Sequence, residues 1–227
     1  MSELFALLGD PVIDPEEESF IIFSQDVPSQ NLGFIDSQAA EVEISIGGRD
    51  LTIRQSRGLL TSDRKEGTTG AVWKVTPLFA EWIASPNFLS KHGFLGPDTV
   101  AIELGAGVSG IVALTLAPKV KKYIATDQGY VIRLLKHNIA ENLPAINTRK
   151  PKSKKRTSQP TSESICSIET LELDWELNSV SSLPTQLGLR GEGAGLDLVI
   201  ACDCIYNESL IEPLNNSFMF GKFLMRS

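Results

Sequence analysis

From Thr99 onward, short apolar runs alternate with stretches whose apolar residues recur every three or four positions. Thr99–Glu103 and Lys121–Thr126 read as buried strands, with a helix at about Ser109–Ala117 between them. Beyond Thr126, Val131, Leu134, Leu135, Asn138, Ile139 and Asn142 share one side of a second helix, and the pattern stops at Asn142. Strand patterns resume at Ile168–Leu173 and Leu196–Ala201, joined by a stretch containing Gly188, Gly191, Gly193 and Gly195. Strands alternating with helices predict an α/β fold built on a parallel sheet.

The N-terminal third has a different texture. Residues 1–26 hold seven acids and no base, interrupted by Pro11 and Pro15, and read as a loose acidic arm with short strands near Phe20–Phe23. Val42, Ile44 and Ile46 alternate with polar residues, Gly47–Asp50 supplies a turn, and Leu51 and Ile53 resume the alternation, which predicts a β-hairpin. Thr76 as N-cap with Pro77 at the first helical position starts a helix whose apolar face is Leu78, Phe79, Trp82 and Ile83, closed by Pro86.

With 227 residues, 42% of them hydrophobic, the chain is long enough for one soluble domain with a sizeable core. No run reaches the roughly 20 apolar residues of a membrane-spanning helix, and Leu4–Leu8 lacks a basic flank, so an intracellular protein is expected. Three cysteines, two histidines (His92 and His137) and no C-x-x-C give neither a disulfide framework nor zinc-ligand spacing. The net charge is −7 but uneven. Six bases and one acid fall in residues 147–164, leaving −12 elsewhere; this polar segment reads as an insertion within the domain.

Gly105, Gly107 and Gly110 follow the strand at Thr99–Glu103 and satisfy the dinucleotide glycine fingerprint, with Asp127 22 residues after Gly105. Such glycines let backbone approach a ligand, the helix start offers N–H groups to a carboxylate or phosphate, and the Asp is placed for ribose hydroxyls. A nucleoside-containing ligand is the reading, and a ligand-free tight turn is the alternative. Glu103 would repel a pyrophosphate but suits an adenosyl ligand bearing an ammonium and a sulfonium. Asp174 and Trp175 end the third strand at the same edge, where they would hold an adenine, or else serve as a helix N-cap and a core residue. Asp203 would attract a substrate ammonium and Tyr206 line its channel; alternatively, Asp203 caps a helix beginning near Asn207.

Together Glu103–Gly107, Thr126–Gln128, Asp174–Trp175 and Asp203–Tyr206 resemble the seven-strand (class I) S-adenosylmethionine-dependent methyltransferases, specifically the protein-lysine branch called methyltransferase family 16. The segment Gly70–Trp82 resembles that branch's Trp-bearing entry to its first helix. The resemblance covers roughly residues 20–214 and implies a Rossmann-like sheet with an N-terminal hairpin extension. It implies that Trp73 packs on S-adenosylmethionine, that Gly105, Ala106 and Gly107 cradle its methionine part, and that Asp127 binds the ribose. Asp174 and Trp175 would hold the adenine, Cys202 would form wall, and Asp203 with Tyr206 would flank the target lysine. Ser109 stands where many members have a third glycine, and Gly110 follows it. Within the branch, Trp73–Trp82, Glu103–Ile111 and Ala125–Gln128 look most like fungal enzymes whose target is the stalk protein of the large ribosomal subunit.

The resemblance also calls for a helix and three more strands after the fourth strand, which the roughly 20 residues beyond Tyr206 are too few to supply. A C-terminally truncated form is therefore expected, lacking the last strands, with the fourth strand as an open edge and residues 215–227 as a divergent tail. The competing functions are a nicotinamide-dependent oxidoreductase on the same glycine pattern and a catalytically inactive binding protein. Arg149–Arg156 would touch ribosomal RNA, form a solvated loop, or act as a nuclear-import signal. A cytoplasmic monomer without metal completes the expectation.

Overall fold

A computed structural model describes residues 9–25, 33–60, 70–147, 167–176, 183–188, 195–205 and 207–223. The chain divides into two compact units, residues 1–32 and residues 33–227. The basic segment, Cys166 and Tyr206 lie outside the described residues.

In the first unit a helix, α1 (Pro15–Ser24), stands where a loose arm and short strands were expected. Pro15 starts this helix rather than interrupting it, because its missing N–H is not needed at the first position. The Asp14 carboxylate accepts the amide hydrogens of Glu16 and Glu17 at 3.0 and 3.1 Å, and three glutamates in the first turn complement the positive helix end.

The second unit opens with the expected hairpin, β1 (Glu41–Ile46) and β2 (Arg49–Arg54), pairing Val42 with Ile53 and Ile44 with Leu51. Next comes α2 (Val75–Ala84), which begins after Lys74 rather than at a Thr76 cap, and no side chain caps its start. Pro77 is its third residue, still within the first turn, where helical N–H groups have no partner to lose. At the other end the Lys119 ammonium donates to the carbonyls of Ile83 and Ala84 at 3.1 and 2.5 Å.

A four-stranded parallel sheet follows: β3 (Val100–Leu104), β4 (Lys122–Asp127), β5 (Ile168–Glu172) and β6 (Leu198–Ala201), in the spatial order β5-β4-β3-β6. Helix α3 (Ile111–Leu116) links β3 to β4, and α4 (Gly129–Asn147) follows β4. The second of these helices continues past Asn142 and through Pro144, since Ile146 extends the buried stripe by one more turn. A further helix, α5 (Ile211–Phe223), runs without interruption across Leu214, where the family resemblance fades.

Each sheet face has its own core. On one, Ile53, Ile83, Ile111, Leu114 and Leu135 bring hairpin and helices together; on the other, Ile102, Leu104, Ile124, Leu173 and Leu196 meet Leu214 of α5. All five residues of β3 are buried, as a central strand covered on both faces must be. The chain builds β3, β4 and β5 outward, then returns to place β6 on the other side of β3. That reversal leaves a crevice at the carboxyl ends of β3 and β6, the usual ligand position in an open α/β sheet.

Candidate active site

An open cleft of about 810 Å³ occupies that crevice. Its wall brings together Trp73, Gly105, Ala106, Gly107, Asp127, Asp174, Trp175, Cys202 and Asp203, residues drawn from five separate parts of the sequence. Parallel register explains the convergence: Leu104 stands beside Thr126 and Ala201, and Asp127 beside Glu172, so each strand releases its next residues at one level.

The glycine turn adopts left-handed backbone at Gly105 (φ 68°), Gly107 (φ 62°) and Gly110 (φ 62°). A side chain at Gly105 would meet Cys204 Sγ at 2.9 Å and the Trp175 ring at 3.1 Å, so only glycine lets the indole lie on the turn. Gly110, not Ser109, makes the close approach to α4, where a Cβ would be 2.7 Å from Ile139 Cγ1.

Two of the turn's amides are not offered to an anion as the sequence pattern suggests. The Ala106 N–H donates to Thr126 O at 2.9 Å, and the Gly107 N–H donates to Asp127 Oδ2 at 2.7 Å. Helix α3 has only six residues, and its first amide turns back to Ser109 Oγ at 3.4 Å. Asp127 also accepts the Gln128 amide through Oδ1 at 2.8 Å, so its carboxylate is fixed in place while facing the cleft.

Asp174 forms a short turn, accepting the Glu176 amide at 2.9 Å, and the residues after Glu176, where a helix for it to cap would run, lie outside the described ones. Trp175 combines both readings of it: one side packs on the Ile102 and Leu104 core, and the ring lines the cleft. Its Nε1 is buried and has no hydrogen-bond partner among the described residues. Trp73, also on the wall, is held by a β-bridge to Phe34, with ring centroids 4.4 Å apart.

After β6 the chain turns through Asp203, which has φ 60° and is the one described non-glycine residue with positive φ. Among the described residues the next turn is capped not by Asp203 but by Asn207, which accepts the Ser209 amide at 3.1 Å. Partial burial raises the Asp203 carboxyl above its ordinary value. Burial, reinforced by Glu103, pushes the Cys202 thiol up to about 12 and the Cys204 thiol higher still, so both stay neutral and act as apolar wall. Cys204 donates to Leu104 O at 3.1 Å.

Glu103 is not on the cleft wall. It is 3% exposed within β3 and accepts the Tyr123 hydroxyl hydrogen at 2.8 Å. Burial first and the nearby Asp127 second raise its carboxyl to about 7, against the lowering effect of the Tyr123 bond. Sequence reasoning gave no site role to Tyr123, Cys204, Thr76, Gln128 and Tyr130, the last four of which line the cleft. Gln128 and Tyr130 flank Asp127 closely enough for the strand-end pattern to have flagged them.

Among the described lining residues are four carboxylates, Asp127, Asp174, Glu176 and Asp203, and no Lys, Arg or His. Such a wall favours a ligand carrying positive charge and disfavours a pyrophosphate. The left-handed glycine turn, the clamped Asp127 and the unpartnered Trp175 N–H fit a nucleoside with a cationic arm. No metal cluster occurs among the described residues, and no described helix is long and apolar enough to cross a membrane.

Comparison with known proteins agrees with this geometry. Ribosomal lysine N-methyltransferase 5 of Zygosaccharomyces rouxii is 36% identical over 183 residues, covering 72% of this chain and 58% of that protein. The protein of the same name from Vanderwaltozyma polyspora is 29% identical over 258 residues, covering 93% and 79%. A diaminohydroxyphosphoribosylamino-pyrimidine deaminase of Schizosaccharomyces pombe is 28% identical over 197 residues, covering 86% of this chain and 41% of that protein. The chain thus spans a little over half the length of the first of these relatives. The lysine methyltransferase family profile matches residues 54–219, which take in every described residue of the cleft wall. The chain belongs to the lysine methyltransferase family.

Proposed function

We propose that this chain is an S-adenosylmethionine-dependent protein-lysine N-methyltransferase that monomethylates a stalk protein of the large ribosomal subunit, acting as a cytoplasmic monomer. The observation that carries the reading is the acidic cleft at the carboxyl edge of the sheet, where Trp73, the Gly105–Gly107 turn, Asp127, Asp174 and Trp175 meet Asp203. Family membership supports a lysine acceptor, and the names of the two yeast relatives support a ribosomal protein.

When bound, S-adenosylmethionine supplies a methyl group already activated by its sulfonium. The chain's own tasks are then to bind, align and manage a proton. Asp127 would take ribose hydroxyls, Asp174 the adenine amino group, and Trp73, Trp175 and Cys202 would supply apolar surface. Alignment of an amine lone pair with the methyl is a proximity task. A free lysine has a pKa of about 10.4, so it must lose a proton before attack. Asp203 and the acidic wall draw in and orient the ammonium, the neutral Trp and Cys surface and the nearby sulfonium then work against its charged form, and the proton leaves to solvent through the open cleft. The bases at 149–156 would add a salt-dependent contact with ribosomal RNA.

A nicotinamide oxidoreductase is less well supported, because the Ala106 and Gly107 amides are spent on Thr126 and Asp127 and the wall is acidic. Calorimetric titration with S-adenosylhomocysteine and with NAD, followed by mass spectrometry of large ribosomal subunits incubated with chain and S-adenosylmethionine, tests the proposal. Saturable binding of the former alone and a single added methyl on a stalk-protein lysine are expected. Binding of NAD instead, or binding with no lysine methylated, overturns it.

A further inference from the structure

Two buried asparagines of α4 hold the hairpin by imitating a β-strand. The Asn138 Oδ1 accepts the Arg54 amide at 2.9 Å while its Nδ2 donates to Arg54 O at 2.9 Å. One turn later, Asn142 Oδ1 accepts the Thr52 amide at 2.9 Å and its Nδ2 donates to Thr52 O at 2.9 Å. A carboxamide offers one donor edge and one acceptor edge, as a peptide group does. Four residues along a helix rise about 6 Å, and two residues along an antiparallel strand advance about 6.8 Å, so asparagines at i and i+4 match alternate strand residues. They also satisfy the outer edge of β2, which would otherwise be open.

The two are not equivalent. Asn142 spends its second amide hydrogen on the backbone of its own helix, Asn138 O, at 2.8 Å. Asn138, with no exposed surface, sends its second hydrogen to Val108 O at 2.7 Å, in the glycine turn and on the cleft wall. The adjacent Ile139 is the residue against which Gly110 closes. The end of β2 reaches a second part of the cleft wall as well: Gln55 Oε1 accepts the Val72 amide at 2.8 Å, next to Trp73.

Resting on the function proposed above, we infer that Asn138 is a positioning residue for the cofactor: it ties the glycine turn to the hairpin, so the hairpin braces the ligand cleft from outside it. Asn142 anchors the same hairpin with no contact to the turn, and serves as the internal control.

The test compares Asn138→Leu with Asn142→Leu in the full chain, measuring thermal unfolding and the Kd for S-adenosylhomocysteine. Both variants lower the melting temperature. Asn138→Leu raises Kd by about tenfold or more, the factor that about 1.4 kcal/mol of lost positioning represents, whereas Asn142→Leu leaves Kd within about twofold. Equal Kd changes in the two variants overturn the inference and leave the function standing; no binding by the wild-type chain overturns both. If Asn138→Leu fails to fold, amide exchange in the wild-type chain decides. By reciprocity, saturating S-adenosylhomocysteine slows exchange of the Arg54 amide by about tenfold and that of Thr52 by less than about twofold. Equal slowing at the two amides overturns the inference.

Discussion

The Asp127 carboxylate takes the Gly107 amide hydrogen at 2.7 Å, so the acid that ends β4 also sets the shape of the turn that follows β3. Ligand recognition and turn geometry therefore share one side chain. Asp127→Ala removes an ionised acceptor whose hydrogen bonds are worth roughly 1.5–3 kcal/mol, and S-adenosylhomocysteine affinity falls by about ten- to a hundredfold. Calorimetry reads the loss; unchanged affinity would reduce Asp127 to a structural role.

Gly105 and Gly107 have similar positive φ, but only the first is crowded. An alanine at either site carries the left-handed penalty of about 1–2 kcal/mol. At Gly105 the new methyl also meets Cys204 Sγ at 2.9 Å and the Trp175 ring at 3.1 Å. Gly105→Ala is thus the more destabilising in denaturant titration and shifts Trp175 fluorescence. Equal destabilisation by the two variants would contradict the packing of the indole on the turn.

Glu103 gives a pH dependence whose sign follows from its raised carboxyl. The unfolded chain releases this proton near the ordinary value of 4.5, and the folded chain near about 7. Between those values the folded state binds more protons, so the Glu103 contribution to stability falls as pH rises through this window and is level above it. Glu103→Gln keeps an acceptor for the Tyr123 hydroxyl and removes the titration. Its melting temperature relative to wild type should climb from pH 5 to pH 7.5, and a constant difference would show that Glu103 does not titrate there.

Asp203 separates backbone strain from charge. Asp203→Gly keeps the φ of 60° without strain and deletes the carboxylate, whereas alanine would add a left-handed penalty. Methyl transfer to ribosomal lysine should fall by about a hundredfold in the glycine variant, a loss of the orientation term, with S-adenosylhomocysteine affinity within about threefold of wild type. Full transfer activity in Asp203→Gly would remove it from the substrate site.

Much of this fold is written locally. The hairpin, β3, β4 and the helices between them follow from apolar spacing, and the Gly105–Gly110 turn with Asp127 from glycines and an acid at a strand end, all patterns within a few dozen residues. Local pattern misled at Pro15 and Pro144, because proline breaks a helix only where an amide bond or space is required, and neither is decided by the residue itself. Asn138 and Asn142 stood on the apolar stripe of α4, but nothing near them in sequence shows the strand edge they bind, 84 and 90 residues away. Glu103 was visible as an acid in an apolar run; its neutralising burial and its bond to Tyr123 exist only once β3 and β4 lie side by side in register. Sequence alone determined which residues are available at each strand end, since strand and turn patterns are short-range. Tertiary structure decided which of them face the cleft, which lie beneath it and which amides remain free, because burial and hydrogen-bond partners arise only when distant segments meet.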